Sequence, residues 1–176
     1  LKLAHMRLGL GVGMNDVELV LRSLPSTALR YHAQDKTARQ LAAALQRQNA
    51  VKQLLHPAFA SSPGHAHWQQ LCATPENPAG AAAGIFSVVF DAPQSQVDDF
   101  CNRLQLFKLG YSWSGHISLV MPYALDEMRD LGRGAVLPGC LVRLCIGLEE
   151  AADLERDVAQ AYGQAFGHAW RGQGVH

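Results

Sequence analysis

The sequence predicts an α+β fold, with a mainly antiparallel sheet, helices on one face of it, and long helices before it. Short runs of β-branched and aromatic residues recur after about residue 50. Some of these runs follow one another with only a loop between, although helices and strands alternate in part. Amphipathic segments with helical spacing account for most of the remaining chain.

Composition narrows the classes of function. The chain has 176 residues, a length that fits one domain, or one domain plus an arm. Its formal net charge is zero. It has no basic field for nucleic acid or an anionic membrane, and no apolar run of membrane-spanning length. The four cysteines lack zinc or C-x-x-C spacing, which favours a reduced, cytoplasmic protein. Because the first residue is Leu1 and not Met, we expect a fragment or a chain whose start is missing.

The first 25 residues are predicted to contain one short helix. Residues 1–14 hold three glycines and are expected to form a flexible lead-in. The glycine pattern of dinucleotide-binding proteins is incomplete, because Met14 stands where a further glycine is needed. Asn15 or Asp16 is a good N-cap for a helix that ends near Pro25.

Five strands and several helices are predicted along the rest of the chain. Composition places strands at 51–55, 85–90, 106–109, 117–121 and 140–146, and Pro122 is expected to stop the fourth. Helical spacing places helices at 26–48, 65–72, 94–104 and 151–166, with one or two helical turns at 125–131. Residues 73–84 are predicted to form an exposed linker loop.

The fifth strand combines an apolar face with one charge. Alternation puts Val142, Leu144 and Ile146 on one face, and Arg143 on the other. An arginine among apolar neighbours needs water or an anion, and its guanidinium suits a carboxylate. The alternatives are an arginine that faces solvent and one that pairs with a local glutamate. If the loop 110–115 lies on the same side, its serines and backbone groups would complete a small anion pocket.

Two other chemistries are disfavoured. His56, His65, His67 and Cys72 could be drawn as a metal site, but their spacing is looser than that of structural zinc sites. A serine nucleophile is disfavoured because Ser114 occupies the position of the second glycine in the G-x-S-x-G elbow.

Two segments resemble one enzyme family. Residues 107–120, which contain Tyr111-Ser112-Trp113, and residues 139–154, which contain Leu-Val-Arg143-Leu, are similar to the C-terminal part of the Cys/Met-metabolism PLP-dependent enzymes. Within that family the likeness is greatest to the bacterial cystathionine β-lyases. Ser114 stands where the family has glycine, and Ile117 where it has glutamate.

The resemblance implies the small C-terminal domain of an aspartate-aminotransferase-type (fold type I) enzyme. Residues 1–49 would be a helical arm leading from an absent PLP-binding domain, and residues 50–176 the substrate-binding domain. Arg143 would hold the substrate α-carboxylate with help from Ser112, and Trp113 would shape the pocket beside Tyr111. Pyridoxal 5'-phosphate would be bound by the missing N-terminal part, because none of the lysines follows the family's Ser-x-Thr: Lys2, Lys36, Lys52 and Lys108.

The resemblance therefore implies part of a PLP-dependent carbon–sulfur lyase. The complete enzyme, a homo-oligomer, would convert cystathionine or a related amino acid to a thiol, pyruvate and ammonia by α,β-elimination, and this chain alone would be inactive. Alternatives are a γ-lyase or γ-synthase of the same family, a non-catalytic truncated relative or interaction domain, and an unrelated α+β amino-acid sensor.

Overall fold

The computed structural model describes residues 1–124 and 139–172. The described helices are α1 (Lys2–Arg7), α2 (Met14–Ser23), α3 (Thr27–Gln46), α4 (His65–Cys72), α5 (Gln94–Arg103) and α6 (Ala151–Phe166), with a 3-10 turn at Leu24–Ser26. The described strands are β1 (Val51–Leu55), β2 (Ile85–Phe90), β3 (Lys108–Leu109), β4 (Leu119–Tyr123) and β5 (Cys140–Cys145). The predicted turns at 125–131 lie outside the described residues.

The five strands form one sheet in the order β1-β2-β5-β4-β3. Neighbouring strands are antiparallel, except that β3 and β4 are parallel. The prediction of a mainly antiparallel α+β sheet is confirmed. Because β5 is paired on both sides, its backbone is fixed along its whole length, and so are the directions of its side chains.

The core lies on one face of the sheet. Val142 and Leu144 of β5 are fully buried there, opposite Val88 and Phe86 of β2. Helices α3, α5 and α6 cover this face with buried residues that belong to the same cluster: Leu41, Ala42, Leu45, Val97, Phe100, Leu154, Val158 and Tyr162. The predicted apolar face of the fifth strand is confirmed, and the opposite face carries Arg143.

Helix α1 corrects the expectation for the first 14 residues. A flexible lead-in is wrong for Lys2–Arg7, which form a helix. This stretch has no glycine or proline to break it, whereas Gly9, with φ of 63°, lies just beyond its end.

Pro122 does not stop the fourth strand, which continues to Tyr123. The carbonyl of Val120 accepts from Gly110 of the β3 side, and alternation turns Pro122 to that same side. Strand β3 ends before this point, since its pairs involve only Leu119 and Val120. The N–H that proline lacks is therefore not needed for pairing with β5.

The third strand is shorter than predicted. The side chain of Asp157 on α6 accepts hydrogen bonds from the backbone N–H groups of Gln105 and Leu106, each at 2.8 Å. These donors are therefore used by a carboxylate and not by a neighbouring strand, and pairing begins at Lys108.

The predicted linker loop is exposed only in part. Residues 74–79 are exposed, but the segment after them is held against α3. Asp35 accepts from the N–H of Ala82 at 2.9 Å, and Arg39 donates to the carbonyl of Gly80 at 3.3 Å. Within the part of the chain that the structure describes, no helix is long and apolar enough to cross a membrane.

Candidate functional site

Arg143 lies near the middle of β5, on the face opposite the core. Its direct neighbours are Ser87 of β2 and Met121 of β4. The ring of Tyr123 lies diagonally across β4, with its centroid 5.9 Å from the guanidinium carbon. This distance allows a cation–π contact, which favours the charged group at a half-buried position.

The guanidinium is held by the backbone of the loop 110–115. Its Nη2 atom donates to the carbonyl oxygens of Gly110 at 3.1 Å and Tyr111 at 2.9 Å, and more weakly to that of Ser112 at 3.4 Å. Three carbonyl dipoles thus point at one nitrogen. The loop and the arginine lie on the same side of the sheet, as the anion-pocket hypothesis requires.

The remaining donors of Arg143 have no acceptor among residues 1–124 and 139–172. Its Nε atom is buried without a hydrogen-bond partner there. No Asp or Glu of the described residues lies within ion-pair distance of it. Among the described residues, therefore, the guanidinium contacts the loop carbonyls and the ring of Tyr123. It forms no ion pair with a glutamate there.

The far end of the same loop is anchored by two further elements. The N–H of Ser114 lies 3.1 Å from the Sγ atom of Cys145, at the end of β5. Ser114 has φ of 59°, in the left-handed region that favours glycine. Gln34 of α3 donates from Nε2 to the carbonyl of Gly115 at 2.7 Å.

Glu149 holds the segment that follows the loop. Its carboxylate accepts from the N–H and from the hydroxyl of Ser118, each at 2.8 Å. The same hydroxyl accepts from the N–H of Gly147 at 2.9 Å. A side chain at Gly147 would collide with Glu149 and with the backbone at His116 and Ser118, so only glycine fits here.

Cys145 has the surroundings of a structural thiol. It is almost fully buried, and burial raises its pKa, although the N–H of Ser114 and the charge of Arg143 act in the opposite direction. A neutral thiol is a poor nucleophile. Cys145 therefore anchors the loop through its contact with the N–H of Ser114.

The predicted site residues reach Arg143 in different ways. Ser112 and Tyr111 contact it through their backbone carbonyls, while their side chains are exposed. The indole of Trp113 is 63% exposed and makes no hydrogen bond to the described residues. The four residues thus share one loop–strand unit, but their binding roles stay a prediction.

Sequence reasoning missed Tyr123, Gln34 and Cys145 as parts of this unit. Alternation along β4 would have identified Tyr123, had Pro122 not been taken as the end of the strand. No sequence pattern indicated that Gln34 would be buried, because a glutamine on an amphipathic helix is usually exposed.

The residues present do not fit PLP itself. All four lysines are exposed; Lys52 lies 3.9 Å from Asp91, and Lys108 donates to the carbonyl of Gln105. A cofactor lysine is expected to be enclosed with its cofactor. No group of three His, Cys, Asp or Glu among the described residues could hold a metal.

Comparison with known proteins adds the following. Residues 1–163 match the family model described as Cys/Met metabolism PLP-dependent enzyme. A cystathionine beta-lyase of Bordetella avium is 36% identical over 161 residues, covering 90% of this chain and 38% of the relative. A cystathionine beta-lyase of Salmonella typhimurium is 30% identical over 146 residues, covering 80% of this chain and 35% of the relative.

Among solved structures, the chain is similar to cystathionine gamma synthase from Xanthomonas oryzae pv. oryzae, crystallised with aminoacrylate and cysteine. The TM-score is 0.72 at 27% identity, over 92% of this chain and 41% of that one. The chain thus spans 35% to 41% of the length of these relatives.

Proposed function

The chain belongs to the Cys/Met metabolism PLP-dependent enzymes, and we propose that it supplies the substrate-carboxylate site of a carbon–sulfur β-lyase. The complete enzyme would cleave cystathionine, or a related cysteine S-conjugate, to a thiol, pyruvate and ammonia. PLP supplies the electron sink for this class of reaction. The two named β-lyase relatives support this choice, while the similarity to a γ-synthase structure keeps the γ-reactions as the alternative.

The proposal rests on a buried donor of Arg143 that is unpaired among the described residues. Arg143 is a permanent charge on a half-buried strand position, with Nε buried and without an acceptor in the described chain. A buried donor left unpaired costs about 1–3 kcal/mol. A substrate carboxylate would supply the missing acceptor and the missing negative charge together.

The loop would serve as the wall of this site. Its carbonyls fix Nη2, so the orientation of the guanidinium is set before a ligand arrives. The exposed side chains of Tyr111 and Trp113 would form an apolar rim for the rest of the substrate. Ser112 would assist through its exposed backbone or hydroxyl.

The cofactor would be held by sequence that this chain does not contain. Since no described lysine is enclosed, we expect this chain alone to catalyse no elimination. The division into an arm of residues 1–49 and a domain of residues 50–176, the homo-oligomeric state and the cytoplasmic location stay predictions.

The carboxylate site is tested by titrating the chain with L-methionine and following the Arg143 Nε–H signal and the loop amides by NMR. We expect saturable shifts for L-methionine and none for 3-(methylthio)propylamine, which lacks only the carboxylate. Arg143→Ala should weaken binding at least about tenfold, corresponding to about 1.4 kcal/mol. Arg143→Lys should restore little of it, because a lysine ammonium cannot hold the loop carbonyls and also present the Nε–H donor of a planar guanidinium. Equal affinity in all three proteins would refute the site.

The reaction is tested in a chimera. The matching segment of the Bordetella avium relative is replaced by this chain, and folding is checked by retained PLP absorbance. With cystathionine, β-elimination yields pyruvate, whereas γ-elimination yields 2-oxobutyrate. Pyruvate as the main keto acid supports the proposal, and 2-oxobutyrate would favour the γ-lyase alternative.

An interaction role is the second candidate, because the first 29 residues expose many large apolar side chains. Among them are Leu3, Met6, Leu8, Leu19, Val20, Leu21, Leu24 and Leu29. Exposed apolar surface of this extent is typical of a contact surface. Sedimentation of the purified chain tests whether this surface makes contacts: self-association supports a contact surface, and a monomer at high concentration argues against it.

A further inference from the structure

Gln34 is a buried polar residue on a helix otherwise assigned to the arm. It is 7% exposed, and its amide reaches a loop that lies 81 residues away in the sequence. Burying an amide is costly unless it is hydrogen-bonded, so this contact has to be made for α3 to pack as it does.

The surroundings of Gln34 are tightly fitted. A Cβ atom at Gly84, just before β2, would lie 2.8 Å from the Cβ atom of Gln34 and 3.1 Å from the carbonyl oxygen of Ile146. Gln34 is therefore lodged where β2 begins and β5 ends. The base of its side chain is thus closely packed, and its amide is directed to the carbonyl of Gly115.

The loop that Gln34 holds is the loop that contacts Arg143. Hydrogen bonds from Arg143 fix the loop at residues 110–112, and Gln34 fixes it at Gly115. Between these points lie Trp113 and Ser114, whose side chains are exposed. A short loop tied at both ends has fewer conformations than a loop tied at one.

We propose that Gln34 is a positioning residue for the carboxylate site: through the carbonyl of Gly115 it sets where Tyr111, Ser112 and Trp113 lie relative to Arg143. The inference rests on the proposed function and extends it, since it makes α3 part of the binding site's support. Gln34 acts through the loop and does not itself touch the substrate.

The test compares two Gln→Met substitutions on α3 in the L-methionine titration. Gln34→Met keeps the side-chain length and removes the donor, and it should weaken binding about fivefold. Gln40→Met, at an exposed position of the same helix, should leave the affinity unchanged. Gln34→His retains an N–H donor and should recover part of the affinity.

The loop amides provide the second readout. In Gln34→Met, the signals of residues 111–115 and of the Arg143 Nε–H should shift before any ligand is added. Wild-type affinity in folded Gln34→Met, or equal losses in Gln34→Met and Gln40→Met, would overturn the inference. If Arg143→Ala binds L-methionine as the wild type does, the carboxylate site itself is refuted. If Arg143→Ala weakens binding and Gln34→Met does not, only the role of Gln34 is refuted.

Discussion

Glu149 and Ser118 form a two-point contact in which one carboxylate accepts both the backbone N–H and the hydroxyl of one serine, each at 2.8 Å. The two residues lie at the same end of the antiparallel β4–β5 pair, where Leu119 is paired with Cys145. Their contact joins the segment leading into β4 to the turn that follows β5. The loop 110–115 is therefore followed by a segment that Glu149 holds in place, and Glu149 is not one of the predicted binding residues.

Replacing Glu149 with alanine should destabilise the fold by about 2 kcal/mol, because hydrogen bonds to a charged group are worth about 1.5–3 kcal/mol and the N–H of Ser118 is left without its acceptor. The free energy of unfolding from urea titration measures this loss. Glu150→Ala is the matched control, since Glu150 is exposed and makes no side-chain cap to α6. Equal stability of the two variants would show that the contact contributes little.

Acid should destabilise the protein through His56. Burial, together with the positive charge of Arg39, lowers the pKa of this histidine to about 4, against 6.5 for an ordinary histidine, while Asp35 acts in the opposite direction. Between these two pH values the unfolded chain binds a proton that the folded chain does not. This contribution to stability is present above pH 6.5 and is lost as the pH falls towards 4, by on the order of 3 kcal/mol.

The measurement is the free energy of unfolding at several pH values between 4 and 7. In His56→Gln the slope over this range should be smaller than in the wild type. His67→Gln, which changes an exposed histidine, should keep the wild-type slope. Parallel curves for wild type and His56→Gln would contradict the assignment.

The hydroxyl of Tyr162 links α6 to the turn before β1. It accepts a hydrogen bond from the N–H of Ala50 at 2.9 Å, and both residues are buried. Tyr162→Phe leaves that N–H unpaired and should cost about 1–3 kcal/mol. Tyr111→Phe removes an exposed hydroxyl and should change stability by less than about 0.5 kcal/mol. Thermal unfolding of both variants checks this difference, and similar melting temperatures would refute it.

Several elements were predictable because local patterns determine them. The alternation from Leu141 to Ile146 defined a core face and a face with one charge, and β5 has both. The apolar spacing of Leu154, Val158 and Tyr162 predicted α6, whose buried side they form. The residues around Tyr111 and Arg143 also pointed to the family that the comparison then showed.

Other features depended on competition between distant groups. The third strand was predicted too long because Asp157, about 50 residues further on, takes the N–H groups at its start. The fourth was predicted to end too early, at residue 121, because Pro122 was judged without knowing that β3 does not extend along this part of β4. In both cases the decisive partner lies on another element.

By itself the sequence determined which residues turn towards the core, where the one charged residue of β5 lies, and to which family the chain belongs. Only the tertiary structure decided what meets that charge: the loop carbonyls, the ring of Tyr123, and, through Gly115, the amide of Gln34. The reason is physical. Side-chain direction along a strand repeats every two residues and is a local property, whereas hydrogen-bond partners are set by the register and packing of segments that are far apart in the chain.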